Sequence, residues 1–290
     1  MTATASQPLD VIADRASEAA VLDGPAEQIG KTVRDLISGP VKDVLSGTWL
    51  GHALHPILTD VVIGSWTSAT MLDLLGGEES ESSAQRLIGI GLAAFGPTAV
   101  TGWSDWADSE SVDDDVRRVG LVHAAVNGVA FALYAGSLAS RRRGKRSAGV
   151  ALALAGAGTL SIGGHLGGHL AMRLGVGVDQ TVFDRGPEDW TQALPVDELE
   201  GSSPVSVQVG DTPVMLVRDG EQVLALHDRC SHRGCSLAGG DIEDGAVTCP
   251  CHDSRFDLRT GAILQGPATA PQPVLEARTR AGCVEVRRAS

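Results

Sequence analysis

For its first 229 residues the chain contains no cysteine; all five fall between Cys230 and Cys283. That absence confines thiol chemistry to one C-terminal module and puts a domain boundary ahead of it. Aromatic side chains are scarce, with one tyrosine and four phenylalanines. Basic charge is also short: 23 Lys and Arg against 36 Asp and Glu leave a formal net charge of -13. Nucleic-acid binders need a basic face for phosphate, so that class is excluded. The opening stretch MTATASQPLDVIADRASEAAVLDG lacks both a basic start and a continuous apolar run. No cleavable signal is therefore expected, and any export would use internal segments.

What is present divides in two. At 290 residues the chain has room for about two domains. Residues 26–46 place Ile29, Val33, Leu36, Ile37, Val41, Val44 and Leu45 near helical spacing, with Pro40 interrupting the run. This segment is either a helix at a membrane surface or a short soluble amphipathic helix. Four weakly polar stretches follow, at about 53–75, 87–107, 119–139 and 148–174. Each approaches the roughly 20 residues needed to cross a bilayer. The charged turns GGEESESSAQR, DSESVDDDVRR and RRRGKRS separate them. A water-soluble bundle would need a charged face on every helix, whereas these are rich in the Gly, Ala, Ser and Thr that suit close packing in lipid. From 194 onward the period changes to two, in PVSVQV, PVMLVR and QVLALH, with GD and DG turns between them. The expected organisation is an N-terminal segment (1–48), an all-α four-helix transmembrane bundle (49–178), a linker (179–193) and an all-β domain (194–290).

The cysteines and histidines of the β domain carry its chemistry. CSHRGC (230–235) and CPCHDS (249–254) set Cys230-x-His232 and Cys249-x-x-His252 on two loops, each after a β-type run. Such a set can hold zinc tetrahedrally. The paired motif also resembles the Rieske family, over about residues 194–288. That resemblance implies a [2Fe-2S] cluster with Cys230 and Cys249 on one iron and His232 and His252 on the other. Two ferric ions, two sulfides and two thiolates sum to a neutral centre, which accepts an electron more readily than a doubly negative four-thiolate one. Rieske potentials accordingly run from about -150 to about +300 mV, against about -400 mV for plant-type ferredoxins. Exposed imidazoles also couple electron gain to proton gain.

Likeness to the quinol-oxidising branch of that family implies more. Cys235 and Cys251 would form a disulfide bracing the two loops. Ser254 would hydrogen-bond to a cluster sulfide and raise the potential. QGPATAP (265–271) resembles the proline-containing loop that covers the cluster, or is an ordinary turn. Phe256 replaces a family tyrosine and Asp253 a family glycine, which together imply a potential below the top of the range. Cys283 reads as a small buried residue on a terminal strand, and His227 as a packed residue ending a β-run.

The N-terminal half carries His52, His55, His123, His165 and His169. Alternating helices would bring all five toward the membrane face from which the C-terminal domain emerges. His165 and His169, four apart, share one side of their helix. Ionisable groups at such depth are costly unless paired or binding. Three uses stay open: haem b between His55 or His123 and His165 or His169, a quinone or non-haem metal pocket, or plain interhelical hydrogen bonding. Asp60 and Asp105 are candidate partners. GTWLGHALHPILTDVVIG together with GGHLAMRLGVGV, within about residues 47–178, resembles a family of predicted four-helix membrane proteins, domain of unknown function 2231. It implies the topology and no reaction.

The expected function is membrane-bound electron transfer between a membrane donor, quinol or haem, and a redox partner protein. A ferredoxin serving a separate oxygenase or reductase, and a membrane redox sensor, are the alternatives. No self-contained catalytic site is visible. A mononuclear iron site needs two further histidines and a carboxylate, and no histidine follows His252. The basic run RRRGKR favours a cytoplasmic loop, although Lys31, Arg34, Lys42, Arg117 and Arg118 on the opposite side blunt the bias. A multi-pass protein of the cell membrane with an extracytoplasmic cluster domain is therefore expected. SRRRGKRS resembles a twin-arginine signal suited to exporting a folded domain.

Overall fold

The computed structural model describes residues 9–199, 201 and 203–289, and the chain divides into two compact units. One comprises residues 9–38 and Leu54–Val176; the other comprises Gly39–Ala53 and residues 177–289. Residues 1–8 of the expected N-terminal segment lie outside the described residues.

The first unit is helical. Short helices α1 (Asp10–Ser17) and α2 (Asp23–Leu36) precede α3 (Gly39–Ser46), which is grouped with the second unit. The break between α2 and α3 falls just ahead of Pro40, where the missing amide and ring sterics end a helix. Four long helices follow: α4 (Leu54–Leu75), α5 (Glu81–Ala107), α6 (Asp114–Arg142) and α7 (Arg146–Met172). Asp113 starts α6 by accepting the backbone N–H groups of Asp115 at 2.8 Å and Val116 at 3.1 Å.

Among these four, α5, α6 and α7 are long and apolar enough to cross a membrane. The fourth long helix of the expected bundle, α4, is the shortest at 22 residues and is also apolar over most of its length. Trp66 of α4 and Tyr134 of α6 stack 4.3 Å apart in the bundle core, joined by Ile88 of α5 and by Ala153 and Leu160 of α7.

Each end of the bundle is tied by buried charge. At one, Arg141 of α6 pairs with Asp73 of α4 and, at 2.6 Å, with Glu81 of α5, which also receives Arg146 of α7. The Arg141 side chain is completely buried, so one charge of the basic run serves the interior. At the other, Glu110 is buried between Arg34 of α2, at 2.6 Å, and Arg117 of α6, at 3.1 Å. Arg118 grips both carboxylate oxygens of Asp23 at 2.7 Å. These pairs fasten α2 across the bundle end.

The second unit is mostly β. Its strands are β1 (Thr191–Pro195), β2 (Val205–Val209), β3 (Thr212–Asp219), β4 (Gln222–His227), β5 (Asp241–Glu243), β6 (Ala246–Thr248), β7 (Arg255–Asp257), β8 (Ile263–Gln265), β9 (Val274–Arg280) and β10 (Cys283–Arg288). A six-stranded antiparallel sheet runs β1-β10-β9-β4-β3-β2, and a four-stranded one β5-β6-β7-β8. Alternation along β3 sends Val214 and Leu216 into one apolar cluster and Met215 and Val217 into another. Burial on both faces is why PVMLV reads as an unbroken apolar run. The Met215 cluster also contains Val247, Phe256, Cys230 and Cys249.

Cys283 differs from expectation in being half-buried rather than buried. It opens β10 beside the turn at Ala281 and Gly282 and accepts a hydrogen bond from the Gln192 amide at 2.8 Å. His227 packs as expected: it ends β4, is wholly buried, and its Nε2 lies 3.1 Å from Asp184 Oδ2.

Candidate metal centre

Two loops of matching construction meet beside the small sheet. The loop after β4 carries Cys230 and His232, and the loop between β6 and β7 carries Cys249 and His252. In the first, Cys230 N–H donates to the Cys235 carbonyl at 2.8 Å and Gly234 N–H to the Cys230 carbonyl at 2.9 Å. In the second, Cys249 N–H donates to the Ser254 carbonyl at 2.8 Å and Asp253 N–H to the Cys249 carbonyl at 3.1 Å. Each loop thus closes on the cysteine that begins it. The chain reversals need left-handed backbone at Gly234, with φ 79°, and at Asp253, with φ 61°. Asp tolerates this region better than most residues but at a cost, about 1 kcal/mol or more for residues generally. Asp253→Gly is expected to stabilise the domain by about 0.5 kcal/mol, the penalty less the added freedom of an unfolded glycine, read from the urea midpoint.

The site is graded from inside to outside. Cys230 and Cys249 are each 1 % exposed, whereas His232 and His252 are half-buried, with ring centroids 5.1 Å apart. The two thiols hydrogen-bond to each other. This interaction holds the Cys230 thiol well above its ordinary range, aided by burial, and brings Cys249 down to about 7. Backbone N–H groups of His232 and Arg233 point at the Cys230 sulfur, and those of Cys251 and His252 at the Cys249 sulfur. Such donors stabilise thiolates, the form in which cysteine binds metal.

Cys235 and Cys251 are joined in a disulfide, with Cα atoms 6.5 Å apart, so the loops are linked covalently as the resemblance implied. The Cys235, Cys249 and Cys251 sulfurs all lie within 4.8 Å of one another. With two of them bonded together, Cys249 is the one that has a thiolate to give. A donor set of two buried thiols and two half-exposed imidazoles fits a mixed sulfur and nitrogen centre.

Ser254 is wholly buried, and its Oγ accepts from Ala268 N–H at 3.0 Å. Ala268 lies in the 265–271 loop, which therefore packs beside the site, with a cis peptide at Gly266–Pro267. Phe256 is buried in the cluster that includes both cysteines.

Sequence reasoning missed Gln272. This buried amide accepts from Ser231 N–H at 3.0 Å and donates to the carbonyls of His227 at 2.6 Å and Arg229 at 2.7 Å. It satisfies three backbone groups of the first loop at once. Asp228, also buried, accepts from the hydroxyls of Ser206 and Ser236 at 2.7 Å and from Ala238 N–H at 2.8 Å.

The bundle histidines share one end of their unit but take separate roles. His55 Nδ1 lies 3.0 Å from the Thr98 carbonyl and 3.2 Å from Thr101 Oγ1, both on α5. His123 Nδ1 lies 2.9 Å from the Gly163 carbonyl of α7 and is backed by Asn127. Both rings lie against glycines: a Cβ at Gly102 would be 2.6 Å from His55 and one at Gly167 3.0 Å from His123. His165 Nε2 is 3.3 Å from Asp10 Oδ1 of α1, and the His169 Nδ1 atom is buried without a hydrogen bond among the described residues. His52 lies outside this unit and is exposed, as is Asp60, an expected partner. Helix-to-helix hydrogen bonding accounts for His55 and His123, and nothing in their surroundings supports haem b.

Comparison with known proteins agrees with this division. Residues 189–277 match the Rieske [2Fe-2S] domain, and residues 51–180 match a predicted membrane protein family, DUF2231. The anthranilate 1,2-dioxygenase ferredoxin subunit of Burkholderia cepacia is 38% identical over 98 residues, 34% of this chain and 91% of the relative. The 3-phenylpropionate/cinnamic acid dioxygenase ferredoxin subunit of Photorhabdus laumondii is 42% identical over 77 residues, 26% of this chain and 72% of the relative. Among solved structures, the ferredoxin of carbazole 1,9a-dioxygenase from Nocardioides aromaticivorans is 29% identical, covers 35% of this chain and 100% of its own, and has a TM-score of 0.33. The buried thiols, the imidazole pair and a relative matched over nearly its whole length lead to one conclusion: the chain belongs to the Rieske [2Fe-2S] family of electron-transfer proteins, its cluster domain following a DUF2231 domain.

Proposed function

We propose that this protein is a membrane-anchored Rieske electron carrier, taking single electrons from quinol and passing them to a partner protein that docks at the His232 and His252 edge. The observation that carries this reading is the grading of the donor set, with thiols buried and imidazoles at the surface. When bound, a [2Fe-2S] cluster supplies reversible one-electron chemistry. Cys230 and Cys249 would hold one iron as thiolates, and His232 and His252 the other through neutral imidazole nitrogens. The Cys235–Cys251 disulfide ties the two loops together. Ser254 would donate its hydroxyl proton to a cluster sulfide, and the half-exposed imidazoles give a partner its shortest approach.

Membrane anchoring is supported by the outward faces of the helices. In the apolar windows of α5, α6 and α7 only 28%, 22% and 22% of residues are buried in protein, which leaves apolar surface for lipid. The disulfide favours an oxidising compartment, hence an extracytoplasmic cluster domain. Exposed Arg142, Arg143 and Lys145 on the α6–α7 turn agree with a cytoplasmic turn.

A second reading, delivery of electrons to a separate oxygenase, is favoured by the relatives, which are ferredoxin subunits of dioxygenases. One experiment separates the two. The full-length protein, purified anaerobically in detergent, is expected to contain two irons and two acid-labile sulfides, the content of a [2Fe-2S] centre. Mixing it with a short-chain quinol should bleach its visible absorption and produce the Rieske EPR signal. Reduction by a soluble flavin reductase but not by quinol moves the assignment to the second reading, and absence of iron sinks both.

A further inference from the structure

Residues 39–53 stand far from the cluster loops in sequence yet belong to the same compact unit. This strap consists of α3, a 3-10 turn at Thr48–Leu50 and the residues up to Ala53. It lies outside the 189–277 stretch that matches the family, so it is an addition to the Rieske domain proper. Two of its polar side chains reach the backbone of the 265–271 loop. Asp43 Oδ1 accepts from Gly266 N–H at 3.0 Å, and Thr48 Oγ1 donates to the Ala268 carbonyl at 3.3 Å. A Cβ on Gly266 would stand 2.0 Å from Thr48 Oγ1 and 3.0 Å from Asp43 Oδ1, so this approach requires glycine.

The two contacts flank a third. Between them, Ala268 N–H donates to Ser254 Oγ. A serine hydroxyl has one proton and two lone pairs, so a lone pair held by Ala268 leaves the proton to be given elsewhere. Resting on the reading of Ser254 as a cluster donor, we propose that Asp43 and Thr48 are positioning residues that tune the cluster through the chain Asp43 and Thr48, loop backbone, Ser254. By fixing Gly266 and Ala268 they hold the loop against Ser254, orient its hydroxyl and exclude water that would compete for it. Pre-organised donors of this kind set the properties of metal centres from outside the ligand set.

The test is an EPR-monitored redox titration of the full-length, cluster-loaded protein. Asp43→Asn and Asp43→Ala remove the same charge, but only asparagine keeps an oxygen that can accept from Gly266. The reduced-to-oxidised ratio at a fixed ambient potential is expected to be lower in Asp43→Ala than in Asp43→Asn by a factor of roughly three, the scale of one modest hydrogen bond. Thr48→Val should move the midpoint in the same direction. In a Ser254→Ala background both shifts should vanish, because the route passes through that hydroxyl. Hydrogen exchange at the Ala268 amide should quicken in Asp43→Ala and in Thr48→Val, a readout that does not depend on the cluster.

Equal midpoints for the alanine and asparagine variants would overturn the proposal. So would shifts of full size in the Ser254→Ala background, or unchanged exchange at Ala268. Should Asp43→Ala fail to fold, the Thr48→Val titration and exchange decide in its place. A wild-type protein with no EPR signal would instead sink the cluster reading itself, which keeps the two failures apart.

Discussion

Alanine at His232 or at His252 is expected to abolish the Rieske EPR signal and visible spectrum of the full-length protein, with little loss of helical circular dichroism. The two rings sit with centroids 5.1 Å apart at the half-exposed edge, where each would supply one of the two nitrogen ligands of the proposed centre. The helical unit is a separate body and keeps its own core. Cysteine at either position makes a graded companion test. A third thiolate adds a negative charge, so any centre that assembles should have its midpoint moved down toward the about -400 mV of all-thiolate ferredoxins. Cys283→Ala, far along the sequence on β10, serves as the control and should leave the spectrum unchanged. Intact signals in both histidine variants would refute the ligand assignment.

Arg141→Leu should be the most damaging single change in the helical unit, costing about 3–5 kcal/mol because it takes the counter-charge from the buried Asp73 carboxylate. Asp73, whose side chain is 1% exposed, pairs with it, whereas Glu81 also has Arg146 as a partner. Lysine should restore little, since one ammonium cannot reproduce a planar fork shared between Asp73, Glu81 and the Ser137 hydroxyl. The double change Asp73→Leu with Arg141→Met should recover most of the stability, because replacing a whole buried pair by apolar side chains removes the desolvation penalty on both sides. Thermal melts in detergent, followed at 222 nm, would measure this. A single-variant melt equal to wild type would show the cluster of charges to be solvated instead.

Much of this architecture was legible from residue order because the signals are local. The Cys230/His232 and Cys249/His252 spacings lie within single loops, so a candidate donor set could be proposed without knowing how the loops meet. The long helices announce themselves through apolar length, and each of the four expected stretches falls largely within one of them. Period-two runs gave away β2, β3 and β4, and the disulfide came from family likeness alone.

What stayed hidden depends on distant contacts between polar groups that have no signature of their own. Gln272 looks like any surface glutamine until its partners 41–45 residues away, in the loop at 227–231, are known. Arg141 reads as part of a topogenic basic run, whereas its partners lie 60 and 68 residues earlier. The bundle histidines invite a redox function, and the reason His55 and His123 are held, carbonyls exposed to them across glycine-lined crossings, emerges only once helices are paired.

The strap also orders events during synthesis. Asp43 leaves the ribosome 223 residues before the glycine it must meet, with all four long helices still to be made. Chains generally fold domain by domain as they emerge, but this β unit has its first piece in hand while the rest is untranslated. A fragment expressed from residue 177 onward would therefore lack a piece of its own unit, the strap that meets the 265–271 loop.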